Sequence, residues 1–305
     1  MKKIAILLLT LVLCAGAVTA SAGTKIKVGV VGSSNEQWTD ILAPMLAKEG
    51  IELEIITFSD FVQPNIALAN GDIDMNAFQH YNYLINWNEE NSDTYGKRIV
   101  PIGETYIAPL GLYSDKYKSV DEIKDGDTIL VVNDVVNEAR ALSLLEKVNL
   151  IKLNPDINSY ATVLDITSNP KNLVFKELDA AMIASQMSDK SVAAGFMNGL
   201  YASQSGYKQE NAIATESFNP DDPVQHGIVN VIAVREEDAD NPVYKRIAEA
   251  YQCDEVKQFF EKVYPGIFIP AWEDKKDSVS DNSNKAAKAA NDGSDAADSS
   301  SASDS

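Results

Sequence analysis

Between residues 25 and 74 the chain alternates strand, helix, strand, helix, and that order leaves few folds open to it. Lys25-Ile26-Lys27-Val28-Gly29-Val30-Val31 alternates polar with apolar residues and then turns wholly apolar, the pattern of a strand running into a covered sheet. Gly32-Ser33-Ser34-Asn35 supplies turn and capping residues, a helix is expected over 37–48, and Gly50 stops it. Ile51-Glu52-Leu53-Glu54-Ile55-Ile56-Thr57 alternates cleanly and reads as a second strand. Residues 60–70 read as a second helix, ending before Gly71-Asp72-Ile73-Asp74. Strands that alternate with helices pair mainly in parallel, so the fold class is α/β.

The alternation runs on. Strands are expected over 98–106, 110–113, 127–132, 173–177, 192–196 and 227–234. Helices are expected over 137–148, 180–187, 242–250 and 253–263, with a short helical step at 120–123. No internal repeat is evident. Pro109-Leu110-Gly111 and Gly227-Ile228-Val229 flank the middle block and read as two crossovers, which suit a clamp that closes on a ligand.

The two ends differ from this body. Met1-Lys2-Lys3 and an apolar run over 4–13 precede Ala20-Ser21-Ala22, a positive region, an apolar core and an A-x-A site, hence an export signal over 1–22. The run is shorter than the roughly 20 apolar residues that cross a bilayer. Leu11-Val12-Leu13-Cys14-Ala15-Gly16 also resembles a lipobox, in which Cys14 would be acylated and become the mature N-terminus. After residue 272 only Val279 has apolar bulk, so the Ser/Asp/Ala-rich stretch 273–305 buries too little to offset its ordering entropy and is expected to be a disordered, solubilising tail. Removing the leader leaves Cys253 alone, so no disulfide forms within the chain, and His80 and His226 are too few for a histidine-rich metal site. A net charge of -19 argues against a nucleic-acid partner, whose phosphates demand a basic surface.

Several stretches resemble the methionine-binding, NlpA-type lipoprotein family, the receptors of methionine ABC importers. They include Val28-Gly29-Val30, the run from Ile56-Thr57-Phe58 to Gln63-Pro64-Asn65, and above all Gly71-Asp72-Ile73-Asp74-Met75-Asn76-Ala77-Phe78-Gln79-His80. Asn133-Asp134, Asn137, Arg140-Ala141-Leu142, Leu150-Ile151-Lys152-Leu153, Tyr201-Ala202-Ser203-Gln204 and Ala250-Tyr251-Gln252 follow in order. The resemblance implies a two-lobed type II periplasmic-binding fold, with 24–109 and 229–272 as lobe I, 110–228 as lobe II and the ligand between them. It implies that Phe58, Phe78, His80 and Tyr83 line the pocket around a thioether. Arg140 would hold the ligand carboxylate, and Asn198 and Asn230 its polar end. Neither cofactor nor metal is implied. The implied partners are L-methionine, a membrane permease and a separate ATPase subunit, with membrane contact through a lipid on Cys14. The chain departs from the family at Val135-Val136, where a proline and a small hydroxyl residue are usual, at Asn82, usually proline, near Ser185, which lacks the usual arginine, and near Ile228, usually aromatic. Another amino acid or a small methionine-containing peptide is therefore the alternative ligand.

Read without the family, the same residues admit both functional and structural roles. An amino acid needs a cation for its carboxylate, acceptors for its ammonium and an apolar slot for its side chain. The Arg140 guanidinium can grip a carboxylate bidentately, or lie on the surface paired with Glu138 or Glu146. Phe78, Tyr81 and Tyr83 form an aromatic cluster that suits a thioether sulfur, at roughly 0.3–1.5 kcal/mol per contact, or serves as core. His80 either touches ligand or makes a structural hydrogen bond. Asn198, before Gly199, accepts from an ammonium or makes a turn. Asn230 interrupts an apolar strand and needs a buried partner, ligand or backbone. An exported hydrolase is the alternative of a different class, but no G-x-S-x-G elbow, phosphate loop or H-E-x-x-H stands in the chain. His226 with Asp221-Asp222 near Ser217 has loop-like, nonspecific spacing. A purely adhesive surface protein would leave the arginine and the rings without a purpose.

Overall fold

The computed structural model describes residues 23–157, 160–218 and 225–272. The leader with Cys14, the tail 273–305 and Asp221-Asp222 lie outside the described residues. The chain begins with β1 (Thr24–Val31), a π-helical stretch at Gln37–Leu42 running into α1 (Ala43–Ala47), β2 (Ile51–Phe58), α2 (Gln63–Asn70), β3 (Met75–His80), α3 (Tyr81–Tyr95) and β4 (Ile99–Glu104). A short β5 (Tyr106–Ile107) leads into β6 (Leu110–Tyr113), β7 (Thr128–Val132), α4 (Val135–Lys147), β8 (Lys152–Leu153), β9 (Ile166–Ser168), β10 (Val174–Leu178), α5 (Ala180–Gln186), β11 (Val192–Asn198), α6 (Gly199–Gln204) and β12 (Ala214–Thr215). A 3-10 turn at Gln225–Ile228 returns the chain to β13 (Asn230–Arg235), followed by α7 (Pro242–Tyr251), α8 (Asp254–Val263) and β14 (Ile269–Pro270).

Two five-stranded sheets result, in the orders β2-β1-β3-β13-β4 and β10-β7-β11-β6-β12. In the first, β1 pairs in parallel with β2 and β3, and β13 runs antiparallel to both its neighbours. In the second, β7 is parallel to β10 and β11, and β6 is the reversed strand between β11 and β12. Each sheet is thus parallel apart from one reversed strand beside its edge. That strand follows a crossover from the other sheet: β6 comes after the β5–β6 link, and β13 after the return through Gln225–Ile228.

Both sheets are apolar on both faces, as strands covered by helices on each side must be. Along β7, Ile129 and Val131 enter one cluster of buried side chains while Leu130 and Val132 enter another. Along β13, Ile232 and Val234 join the cluster around Trp38, Tyr251 and Phe260, and Val231 and Ala233 face Leu68, Leu84 and Trp87. The period-two geometry of a strand produces this division.

β3 departs from an all-apolar pattern, for all six of its residues are buried and three of them are polar. Asn76 and Gln79 form a closed set of amide bonds with Asn65 of α2: Asn65 Nδ2 donates to Gln79 Oε1 at 2.8 Å, while Gln79 Nε2 and Asn76 Nδ2 donate to Asn65 Oδ1 at 2.7 and 2.8 Å. Gln79 Nε2 also reaches Asn76 Oδ1 at 3.0 Å. Burial of so many amides is tolerable because each finds a partner.

The structure departs from the sequence reading in several elements, among them α6 and the short strands β8, β9, β12 and β14, and four departures have a clear physical reason. Residues 81–95 form the long helix α3, which the sequence reading did not contain; it is Asn-rich and starts on His80, whose Nδ1 accepts from the Tyr83 N–H at 3.2 Å in place of the usual Ser, Thr, Asp or Asn cap. The helix expected over 37–48 begins with π-helical geometry, a form concentrated at functional sites. The helix expected from 60 begins at Gln63, because the Asp60 carboxylate accepts from the Val62 and Gln63 N–H groups and holds a turn. The strand expected from 227 begins only at Asn230, after the 3-10 turn. There Gly227 packs so closely on Asn82 that an added Cβ would lie 2.3 Å from its side-chain oxygen.

Candidate functional site

The buried end of β3 and the start of α3 carry Phe78, His80 and Tyr83 to the C-terminal end of the first sheet's central strand. From the second sheet's side, the first turns of α4 present Asn137 and Arg140, and the end of β11 presents Asn198. These six, with Asn230 at the start of β13, line one cavity between the two sheets. Small-ligand clefts are mostly apolar with a few placed polar groups, and this lining has that make-up. Asn230 sits opposite His80 in the β13–β3 register, so both polar residues meet at one point of the wall.

Phe58 is a correction. It packs against the buried clusters of the first sheet, beside Ile73 and Gly29, and does not line the cavity. Phe61, three residues on, stands there. Its ring stacks on Phe78 at 6.0 Å and 26°, and Tyr83 closes the group edge-on to Phe78 at 6.0 Å and 75°. The Tyr83 hydroxyl donates to the Phe61 carbonyl at 3.0 Å, which fixes the ring over the turn. Burial, then the carboxylates of Asp134 and Asp60, raise the Tyr83 phenol above its ordinary range, so it stays neutral.

His80 is held at both nitrogens. Because Nδ1 accepts from Tyr83 N–H, the proton is assigned to Nε2, which then donates to Asn137 Oδ1 at 3.1 Å. Burial, and secondly the nearby Arg140 charge, lower its pKa to about 3. The unfolded chain takes up this proton near pH 6.5 and the folded chain near 3, so below 6.5 the unfolded state binds more protons and stability falls with falling pH. His80→Gln is expected to flatten this acid-side loss, which for one proton has a maximum slope of about 1.4 kcal/mol per pH unit. Urea unfolding between pH 4 and 7 checks it: an unchanged slope in the variant would show that the proton binds elsewhere.

Arg140 does not pair with Glu138 or Glu146. Its Nε and Nη2 donate to Glu216 Oε1 and Oε2 at 3.0 and 2.6 Å, a bidentate pair that is largely buried. Nη1 donates to Asn137 Oδ1 at 2.7 Å, and Nη2 also approaches the Ala108 carbonyl at 3.4 Å. Glu138 instead accepts from the Val163 N–H, and Glu146 from the Leu153 N–H. Asn137 is in turn fixed by Asp134, the N-cap of α4, whose carboxylate accepts from both the backbone and side-chain N–H groups of Asn137. Asn198 caps α6, its side-chain oxygen accepting from Tyr201 N–H at 3.1 Å.

Asn137, Gln79, Phe61 and Tyr106 line the cavity but were not among the sequence candidates. Asn137 was the most legible of them, lying three residues before Arg140 and therefore on the same helical face. The two sides also touch outside the cavity, where the Tyr201 hydroxyl donates to the Ser59 carbonyl at 3.0 Å and its ring lies 5.1 Å from Phe61.

Other candidate groups lie elsewhere. His226 stacks on Tyr81 and pairs with Glu104 at 2.9 Å, while the Ser217 hydroxyl accepts from Lys147 Nζ at 2.7 Å. Cys253 is half-buried and unpaired with another cysteine, and burial pushes its thiol up, away from reactivity. Among the described residues, no helix is long and apolar enough to cross a membrane.

Comparison with known proteins places this cleft in a family. The model of the NlpA lipoprotein family matches residues 26–272. The D-methionine-binding lipoprotein MetQ of Escherichia coli O157:H7 is 40% identical over 250 residues, 81% of this chain and 88% of that protein. Outer membrane lipoprotein 3 of Mannheimia haemolytica is 39% identical, covering 81% and 90%. Among solved structures, a nutrient-binding protein from Burkholderia cenocepacia bound to methionine superposes with a TM-score of 0.74 at 39% identity, covering 81% of this chain and all of that one. The substrate-binding protein of a methionine transporter from Streptococcus pneumoniae gives 0.75 at 37% identity, covering 81% and 96%. The two sheets with a cleft between them are therefore the two-lobed fold of these substrate-binding proteins, and the chain belongs to the NlpA lipoprotein family.

Proposed function

We propose that the protein is the extracytoplasmic solute-binding receptor of an ABC importer and that it captures L-methionine. One observation carries this reading: a single arginine from one half and a stack of rings from the other meet across one cavity. The arginine side suits a carboxylate, the rings suit a thioether, and the amide oxygens of Asn198 and Asn230 offer acceptors for an ammonium. The names of the relatives point to methionine, in MetQ to its D-enantiomer. Lobe I is assigned to 24–109 and 229–272, and lobe II to 110–228, so the ligand touches both. A ligand favours closure only by binding the closed arrangement better than the open one, and one that bridges the lobes does so. The closed receptor then docks on a membrane permease, and a separate cytoplasmic subunit hydrolyses ATP. The mature chain is assigned to the outer side of the cytoplasmic membrane, anchored through lipid on Cys14 or released after Ala22.

Titration calorimetry of the mature chain against L-methionine, D-methionine, the other amino acids and methionine-containing dipeptides tests the reading. Saturable one-to-one binding of methionine is expected, with a stabilisation of about 2.7 kcal/mol at a hundred times the dissociation constant. Tighter binding of a dipeptide would move the ligand assignment. No binding of any amino acid or short peptide would defeat the receptor reading.

A further inference from the structure

Among the described residues that line the cavity, Arg140 alone carries a full charge, since His80 is held neutral. A lone buried cation would favour ligands with net negative charge. Here the guanidinium is clasped from behind: Glu216 takes the Nε–Nη2 edge, does not itself line the cavity, and anchors its Oε2 on the Leu110 N–H at 2.8 Å. The side chains of Arg140 and Glu216 are 11% and 16% exposed, so water screens their mutual field only weakly. Asp134 lies behind Asn137, its carboxylate accepting from both N–H groups of that residue, and does not line the cavity.

We propose that Glu216 is the residue that sets the charge class of the ligand, making the carboxylate-binding end of the cleft net neutral and so selecting zwitterionic amino acids over monoanions of the same shape. The inference rests on the amino-acid reading above and deepens it. A zwitterion brings its own ammonium and adds no net charge to a neutral site. A monoanion leaves an uncompensated negative charge beside Glu216, at a distance where low local dielectric makes the repulsion large. Glu216 acts through Arg140 and through the field of the cavity, as a positioning and selecting residue.

The test compares L-methionine with its 2-hydroxy analogue, which replaces the ammonium by a hydroxyl and carries one negative charge. Wild-type protein should bind the amino acid much more tightly. In Glu216→Gln and Glu216→Ala, affinity for the hydroxy acid relative to methionine should rise roughly tenfold or more, whereas Glu216→Asp, which keeps the charge, should hold the ratio within about threefold of wild type. A structural loosening would lower both affinities alike, so an equal loss for the two ligands overturns the proposal. So does an aspartate variant that behaves like the glutamine one. If neither charge-removing variant folds while the aspartate variant does, Glu216 belongs to the fold and the proposal fails. Wild-type protein that binds neither compound removes methionine as the ligand, and the inference with it.

Discussion

Arg140→Ala is expected to weaken L-methionine binding by roughly 2–5 kcal/mol, the range for truncating one member of a buried, hydrogen-bonded charge pair. That is about a 30- to 4,000-fold rise in dissociation constant. The substitution removes the only cation among the described residues of the cavity wall and also leaves the Glu216 carboxylate, 16% exposed, without its cationic partner. Stability should therefore fall together with affinity. The double variant Arg140→Ala/Glu216→Ala separates the two effects: it is expected to recover part of the lost stability and none of the binding. Calorimetry and thermal melting on the same samples read both. Affinity within a factor of three of wild type in Arg140→Ala would remove the arginine from the ligand site.

Asn65→Leu is expected to be strongly destabilising. It keeps the number of side-chain heavy atoms but orphans Gln79 Oε1 and leaves the Asn76 amide nitrogen with only a 3.4 Å contact to the Pro64 carbonyl, both groups buried where water cannot reach them. The orphaned oxygen costs about 1–3 kcal/mol, and the weakened nitrogen adds to the loss. Gln79 also lines the cavity, so affinity should fall with stability. Urea unfolding of the variant checks the first part: a loss below about 1 kcal/mol would mean that the amides find other partners.

Much of the architecture was legible because its pattern is local. The β1–β2 alternation, the capping residues after Val31 and the wholly apolar runs of β7 and β11 dictate covered strands whatever surrounds them. The helix α3 was not legible, because its capping group is a histidine and its body is rich in asparagine, tyrosine and acidic residues that lack a strong helical signature. It forms because Leu84 and Trp87 find a buried face on the first sheet, a tertiary gain that local propensity does not register. At the site, Phe78, His80, Tyr83, Arg140, Asn198 and Asn230 were legible as residue types with chemistry to perform. Phe58 and Phe61 could not be told apart, since only the turn pinned by Asp60 decides which ring faces the cavity. The role of Glu216 was hidden by its distance of 76 residues from Arg140. Long-range pairs of that kind follow from topology alone.

The separate apolar layers on both faces of each sheet have a mechanical consequence. Most of each interior is filled by its own half, but the first sheet's cluster also takes in Leu200 and Tyr201 of α6, so the seam between the halves is partly apolar. The clamp motion proposed above would break polar links such as Tyr201 to Ser59 and His80 to Asn137, the ring contact between Phe61 and Tyr201, and the burial of Leu200. Each link has a net value of only about a kcal/mol in water, so a molecule no larger than one residue holds enough interaction energy to decide which shape prevails.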